Sequence, residues 1–231
     1  MSAQTWRPSD SPSRTVAPQL AQQRADFETA AASNTHVKSL HAHYDDTYES
    51  ERTRLESAVK VGDVFPPFAL PNALGAIVDS EDLTKPLVIV FYRGSWCPYC
   101  NIHLNHLQKH LQEIQAAGGV LVAISPAPPD DSVTLNEKHN LKFVVLSDTK
   151  NELAKKLGIT FSLPETALSN YVALGKDHKA FYGSEVPEYP TPSSFVIGND
   201  GKIAWLHHEI HHSRRSEAAD IVAALKALKA Q

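Results

Sequence analysis

Cysteine is almost absent from this chain, which has only Cys97 and Cys100 among its 231 residues. Two cysteines are too few for a disulfide framework, but in an intracellular chain they make a plausible catalytic pair. Long hydrophobic runs are also lacking, because the longest, at 87–92 and 120–124, fall far short of the roughly 20 residues of a membrane span. The N-terminus shows no apolar segment of a secretory signal. We therefore expect a soluble, cytoplasmic protein.

A strong charge of either sign is missing too. The net charge is −4 and the isoelectric point is near 6.3, so neither a nucleic acid nor a membrane is expected as a partner. Hydrophobic residues make up 42% of the chain and charged residues 21%, which is ordinary for a globular protein with a core.

Hydrophobic periodicity predicts alternating strands and helices. Buried strands are predicted at 87–92, 120–124 and 143–146, and a β-hairpin is predicted at 194–206 around the turn Asp200-Gly201. Helices are predicted after the first three strands and at 216–229, while 159–190 shows no clear period. This order predicts an α/β fold with a mixed central sheet flanked by helices. Residues 17–60 read as a helical extension that packs on the core or on a partner subunit, and a homodimer is one possibility.

The cysteines stand between the first strand and its helix, in the segment Trp96-Cys97-Pro98-Tyr99-Cys100. A helix N-terminus presents unpaired N–H groups and partial positive charge, which stabilise a thiolate. Pro98 suits the first helical position, Trp96 can shield the pair, and Tyr99 is expected to tune packing rather than to donate protons. Positive charge could come from Arg93, His103 and His106. A zinc site or two inert thiols are the alternatives, but no second cysteine pair is present to complete a structural zinc site.

The segment Phe91–Asn101 resembles the peroxiredoxin-like (AhpC/TSA-type) branch of the thioredoxin-fold superfamily. Further segments support the resemblance over roughly residues 60–230: Val61-Gly62-Asp63, Ala123–Pro126, Leu146-Ser147-Asp148 and Pro192–Ile197. It implies a thioredoxin-like domain at 61–231 and does not cover the helical extension at 17–60. It also implies a cis peptide before Pro192, with the Thr191 backbone facing the sulfurs. Residues 1–16, which are rich in Ser, Pro, Gln and Arg, are expected to form a disordered arm.

The resemblance also exposes differences from the peroxidase pattern Pro-x-x-x-Thr-x-x-Cys with a distant arginine. Here Arg93 occupies the proline position, Cys97 the threonine position and Cys100 the position of the peroxidatic cysteine, while Pro192 replaces the arginine. Arg93 could partly substitute for it. Thioredoxin logic makes Cys97 the attacking thiolate, whereas peroxiredoxin logic makes it Cys100, which we favour. Both routes end in a Cys97–Cys100 disulfide, which an external dithiol such as a thioredoxin or glutaredoxin would reduce.

Two other features are candidates for function. The cluster His207-His208-Glu209-Ile210-His211-His212 contains a formal His-Glu-x-x-His match, but it continues a predicted strand, whereas a zinc peptidase needs that motif on a helix. We interpret it as a solvated strand end followed by the turn into the last helix, with incidental metal affinity as the alternative, so no metal or other cofactor is expected. Arg214 and Arg215 are expected to be solvated.

Three functions remain open at this point. The first is a thiol peroxidase acting on hydrogen peroxide or organic hydroperoxides. The second is a thiol–disulfide oxidoreductase without significant peroxidase activity. The third is a thioredoxin-fold redox sensor or scaffold that binds a partner through its N-terminal helices.

Overall fold

Five strands form the central sheet of the protein. The computed structural model describes residues 15–46, 48–129, 131, 140–185, 187–209, 211 and 213–230. The sheet contains β3 (Leu87–Phe91), β4 (Val120–Ser125), β5 (Val144–Ser147), β8 (Ser193–Ile197) and β9 (Ile203–His208) in the order β5-β4-β3-β8-β9. β3 and β5 run parallel to β4, whereas β8 is antiparallel to both β3 and β9. The predicted mixed sheet is thereby confirmed.

Helices flank this sheet on both faces. After β3 come α4 (Pro98–Lys109) and α5 (Leu111–Ala116), which meet at His110 where a single helix was expected. α6 (Glu152–Lys156) follows β5, and α9 (Ala218–Lys229) ends the chain. α5 and α9 pack on one face around Leu107, Ile114, Val196 and Leu225. A second apolar layer, with Phe65, Ile89 and Phe195 at its centre, fills the other face.

Two short ribbons are separate from the central sheet. β1 (Ala69–Pro71) and β2 (Ile77–Asp79) pair as a two-stranded ribbon. The segment without a sequence period contains β6 (Thr160–Ser162), α7 (Glu165–Ala173), α8 (His178–Tyr182) and β7 (Glu188–Pro190), and β6 pairs with β7. The period is hidden there because each of these elements is short.

The predicted N-terminal helical extension is also present. It consists of α1 (Ala17–Ser33), α2 (Thr35–Asp46) and α3 (Tyr48–Glu56). Leu40 and Tyr44 of α2 pack with α7, so the extension lies on the core of its own chain. Residues 1–14 of the predicted arm are outside the described part, but Val16 is fully buried, so the arm cannot extend to residue 16.

Candidate active site

The two cysteines occupy a tight turn between β3 and α4. Cys97 is the N-cap residue of α4 and Pro98 takes its first position, as predicted. Gly94 makes the turn with a φ of 147°, and a Cβ added there would lie 3.0 Å from Trp96 Nε1, so only glycine suits this position. Asp131 fixes the same turn by accepting hydrogen bonds from the Ser95 backbone N–H, at 3.1 Å, and from its hydroxyl.

The sulfurs of Cys97 and Cys100 are adjacent and buried. Their Sγ atoms are 2.7 Å apart, and the residues are only 2% and 1% exposed. Arg215 reaches both of them, since its Nη2 donates to Cys100 Sγ at 3.3 Å and lies 3.9 Å from Cys97 Sγ. The prediction that Arg215 is solvated is therefore wrong, because its side chain is 2% exposed; Arg214 is exposed, as expected.

These surroundings shift the pKa values of the two thiols in opposite directions. Burial opposes ionisation at Cys100, but the Cys97 thiol, the Arg215 charge and the Arg93 backbone N–H stabilise its thiolate, which lowers the pKa of Cys100 well below the usual range. The pKa of Cys97 is raised by its burial and then by the neighbouring Cys100 sulfur. When one of the two thiols is ionised, the negative charge is on Cys100, because Arg215 is closer to that sulfur. The Cys97 thiol then donates a hydrogen bond to the Cys100 thiolate.

Arg93 and Trp96 contact the elements that surround the cysteines. Arg93 Nη1 donates to Tyr44 Oη at 3.3 Å, and the guanidinium stacks 5.0 Å from the Phe161 ring centroid. Trp96 Nε1 donates to Tyr182 Oη at 2.6 Å, and that hydroxyl in turn donates to the Arg93 carbonyl oxygen at 2.5 Å. Arg93 and Trp96, both predicted as site residues, thus tie the extension and α8 to the turn that carries the cysteines.

Tyr99 is buried beside the thiols and is a very weak acid. It is 6% exposed, and burial, followed by the nearby Cys97, raises the pKa of Tyr99 to about 12. Its phenol therefore stays protonated through the physiological range, in agreement with the expected packing role.

The histidines near the turn are neutral, contrary to the expectation that they add positive charge. Burial lowers the pKa of His103 well below 6.5, and the Arg215 charge lowers it further. Burial and the neighbouring His110 lower the pKa of His106 to about 4. His103 Nε2 lies 3.2 Å from Ser216 Oγ, and the Ala218 N–H donates to His106 Nε2 at 3.4 Å. Their role is to join α4 to the start of α9.

The start of α1 covers the thiols. Val16 and Leu20 belong to the same apolar cluster as Cys97, Tyr99 and Cys100. The first helical N–H groups of α1 lack an N-cap side chain of their own and are satisfied by Glu217, whose carboxylate accepts from Val16 N at 2.8 Å and Ala17 N at 3.2 Å, and from Thr15 Oγ1. Glu217 is fully buried. The extension is therefore part of the wall of the site.

Thr191 and Pro192 lie between β7 and β8, but the expected cis peptide is absent between them. Lys85–Pro86 is the cis bond found among the described residues. A trans Thr191–Pro192 bond keeps the backbone extended, while Thr191 N donates to Ile159 O at 2.7 Å and Ser193 Oγ donates to Thr191 O at 2.9 Å. These bonds occupy the backbone that was expected to face a thiol substrate. The Thr191 hydroxyl accepts from Arg54 Nη2 at 2.6 Å.

The histidine cluster begins on β9, as the strand prediction requires, and His207 and His208 are its last two residues. Burial lowers the pKa of each to about 4. The described residues contain no group of three or more side chains arranged to bind a metal ion. Ile210 and His212 fall outside the described residues, so the whole His-Glu-x-x-His match cannot be located.

Neither Arg215 nor Glu217 was predicted to be a site residue. Arg215 is 115 positions from Cys100, and Glu217 is 201 positions from Val16. The only available signal was the unusual placement of two arginines directly before an apolar helix. Local pattern cannot show that this segment folds back over the cysteines.

The sheet order and the paired thiols at the start of a helix define a thiol protein with a thioredoxin-like fold. Comparison with known proteins gives the family: the AhpC/TSA family model matches residues 61–206, and the chain belongs to that family. It is 30% identical to peroxiredoxin Bcp of Escherichia coli over 165 residues, 71% of this chain and 93% of the relative. The chain is thus an oxidoreductase of the thiol peroxidase class.

Solved structures support the same fold. Peroxidoxin BcpB of Mycobacterium tuberculosis superposes with a TM-score of 0.57 at 22% identity, covering 74% of this chain and 98% of that one. Peroxiredoxin Q of Xanthomonas campestris gives a TM-score of 0.53 at 19% identity, covering 75% and 98%. None of the helices in the described part of the chain is long and apolar enough to cross a membrane.

Proposed function

We propose that the protein reduces hydrogen peroxide or organic hydroperoxides with Cys100 as the attacking thiolate and Cys97 as the resolving thiol. The observation that carries this proposal is the hydrogen bond from Arg215 to Cys100 Sγ at 3.3 Å. It puts a permanent positive charge beside one of two buried sulfurs, and the thiolate is the nucleophilic form of cysteine. The resemblance supports the same assignment, because Cys100 occupies the peroxidatic position.

In the first step the Cys100 thiolate attacks the terminal oxygen of the peroxide. An S–O bond forms, the O–O bond breaks, and the leaving alkoxide or hydroxide takes up a proton, which yields a sulfenic acid and an alcohol or water. Arg215 takes over the role of the family's distant arginine, whose position is occupied here by Pro192. Its guanidinium faces the Cys100 sulfur and can stabilise the negative charge that moves from sulfur onto the peroxide oxygen.

In the second step Cys97 attacks the Cys100 sulfenic acid. An S–S bond forms, and the hydroxyl leaves as water with the proton that Cys97 releases. Because the two sulfurs are 2.7 Å apart, closure needs no large movement of α4. An external dithiol such as a thioredoxin or glutaredoxin then reduces the disulfide by thiol exchange, for which local opening of the site must first expose the buried pair. No cofactor is needed.

The burial of the thiols favours peroxides over protein disulfides as the oxidant. Both residues are at most 2% exposed, so a small peroxide can approach where a folded protein's disulfide cannot without opening of the site. One experiment distinguishes the peroxidase function from the competing thiol–disulfide oxidoreductase function. Reduced protein is mixed with hydrogen peroxide and, in parallel, with a model disulfide. Rapid Cys97–Cys100 oxidation by peroxide is expected, and oxidation only by the disulfide would refute the peroxidase proposal.

The roles of the two cysteines are tested by trapping the sulfenic acid with a dimedone probe after exposure to peroxide. We expect strong labelling of Cys97→Ser, in which the Cys100 sulfenic acid cannot be resolved, and little labelling of Cys100→Ser. Label that survives in Cys100→Ser but is lost in Cys97→Ser would reverse the assignment. The double variant serves as the blank.

A further inference from the structure

Three buried side chains follow one another along one side of α4. Cys100, His103 and His106 are three residues apart, and their exposed fractions are 1%, 2% and 5%. Residues with this spacing are neighbours on the surface of a helix. The helix that carries the attacking sulfur therefore presents two imidazoles further along the same side.

The chain directly before α9 packs against that side of α4. The contacts pair residues in the same order along both segments: Arg215 with Cys100, Ser216 with His103, and Ala218 with His106. Residues 214–217 form neither a helix nor a strand. Because no regular element fixes this segment, its side-chain contacts decide where it lies.

The guanidinium of Arg215 is bound to its own segment as well as to the sulfur. Its Nη1 donates to the Arg214 carbonyl oxygen at 2.5 Å, while its Nη2 donates to Cys100 Sγ at 3.3 Å. Since one nitrogen is held by the backbone of the segment, the position of that backbone decides where the other nitrogen lies. A displacement of residues 214–216 would therefore move the positive charge away from Cys100.

Ser216 is the fixed point of this segment. Its hydroxyl lies 2.8 Å from Ser194 Oγ of β8 and 3.2 Å from His103 Nε2 of α4. Ser216 is 1% exposed, and a buried hydroxyl that loses a hydrogen-bond partner is destabilised. Of the two contacts, the one with His103 joins the segment to the helix on which Cys100 lies.

We propose that His103 is a positioning residue, which holds Ser216 and thereby keeps the Arg215 guanidinium against the sulfur. The inference rests on the proposed peroxidase function and adds a residue to it. A neutral imidazole suits this position, because it offers Ser216 a polar partner without a second positive charge. A lysine in place of His103 would repel the guanidinium that must stay at the sulfur.

The test follows the pKa of Cys100 in a Cys97→Ser background, so that one thiol titrates. His103→Leu removes the polar contact with Ser216 and keeps an apolar side chain in the core. We expect the pKa of Cys100 to rise by at least about 1, the lower end of the shift that an opposite charge within about 4–6 Å produces. An unchanged pKa would overturn the proposal.

The same substitution is then made in an Arg215→Met background. A residue that acts through the guanidinium has no effect once the guanidinium is removed, so His103→Leu should give no further rise there. The two substitutions should thus be strongly non-additive. If His103→Leu raises the pKa of Cys100 by as much in both backgrounds, it acts by loosening the site, and the positioning role is wrong.

Two further variants distinguish positioning from a general folding defect. His103→Gln keeps a polar group within reach of Ser216 and should restore most of the parent pKa of Cys100. His106→Leu is the matched control, because His106 is also buried on α4 but contacts Glu217 and Ala218, beyond Ser216 from the guanidinium. It should give less than half the rise seen in His103→Leu. An equal rise in His106→Leu, or a full rise in His103→Gln, would overturn the assignment.

The pH profile of oxidation by hydrogen peroxide separates this proposal from the function on which it rests. With Cys97 present, the midpoint of the profile should move to higher pH in His103→Leu, in step with the titration of Cys100. If the parent protein is oxidised and the profile of His103→Leu is unchanged, only the positioning role is refuted. If hydrogen peroxide does not oxidise the parent protein at any pH, the peroxidase function is refuted, whatever the titrations show.

Discussion

Removing the positive charge beside Cys100 should raise the pKa of that thiol. In Arg215→Met the charge 3.3 Å from Cys100 Sγ is lost while an apolar stem of similar length remains. At an effective dielectric constant of about 20, two unit charges at this distance interact by about 5 kcal/mol. That figure is a ceiling, because water enters the vacated space and the Arg93 N–H still stabilises the thiolate.

We expect the pKa of Cys100 to rise by at least about 2, which corresponds to about 2.7 kcal/mol. The measurement follows the ultraviolet absorbance of the thiolate against pH, in a Cys97→Ser background so that one thiol titrates. The rate of alkylation by iodoacetamide gives an independent titration of the same group. Peroxide reduction by Arg215→Met should be slow at neutral pH and recover only in part as the pH rises, because the thiolate is restored but the positive charge beside the peroxide oxygen is not.

Arg214→Met is the matched control, since the neighbouring Arg214 is exposed and the substitution changes the net charge by the same amount. Arg214→Met should leave the pKa of Cys100 unchanged. If Arg215→Met and Arg214→Met give the same titration curve, then Arg215 does not stabilise the thiolate. A rate that recovers fully at alkaline pH would instead show that Arg215 acts only on the ionisation of Cys100 and not on the attack that follows.

Two further outcomes are expected. In Glu217→Gln the acceptor of the first N–H groups of α1 loses its charge but keeps an oxygen, and the difference between a charged and a neutral acceptor is about 1–2 kcal/mol. We therefore expect α1 to loosen and the thiols to react several-fold faster with a chromogenic disulfide. Glu165→Gln, on the exposed end of α7, should not change that rate. Lowering the pH should destabilise the fold, since burial lowers the pKa of His106 and His178 to about 4. That stability is present above their unfolded pKa near 6.5 and is lost as the pH falls toward about 4, so a urea midpoint unchanged between pH 7 and pH 4.5 would contradict the neutral assignment.

Local pattern was sufficient for the elements that carry the cysteines. The strand at 87–91 and the helix starting at Pro98 follow from a run of β-branched and apolar residues, a glycine turn and a proline. These signals act within a few residues, so they can be recognised without knowledge of the tertiary structure. The same holds for the hairpin around Gly201, whose turn type depends on local backbone geometry.

Charge states and long-range contacts could not be predicted in this way. A histidine at position 103 suggests positive charge, but its burial decides that it is neutral. Arg215 follows an arginine and a strand end, a context that is normally solvated, and only the return of α9 onto α4 brings it to the sulfurs. Burial of a charged side chain depends on the partners available in three dimensions, and residues more than 100 positions away supply them here.

The segment Arg215-Ser216-Glu217 connects the chemistry of the thiols to the position of the N-terminal extension. Arg215 donates to Cys100, Ser216 contacts His103 of α4, and Glu217 accepts from the start of α1. All three are at most 2% exposed, and close packing makes independent movement of consecutive buried residues costly. A displacement of α1 must therefore disturb Glu217 and, through the shared backbone, the guanidinium at the sulfur. The extension thus influences both access to Cys100 and the charge that keeps it reactive.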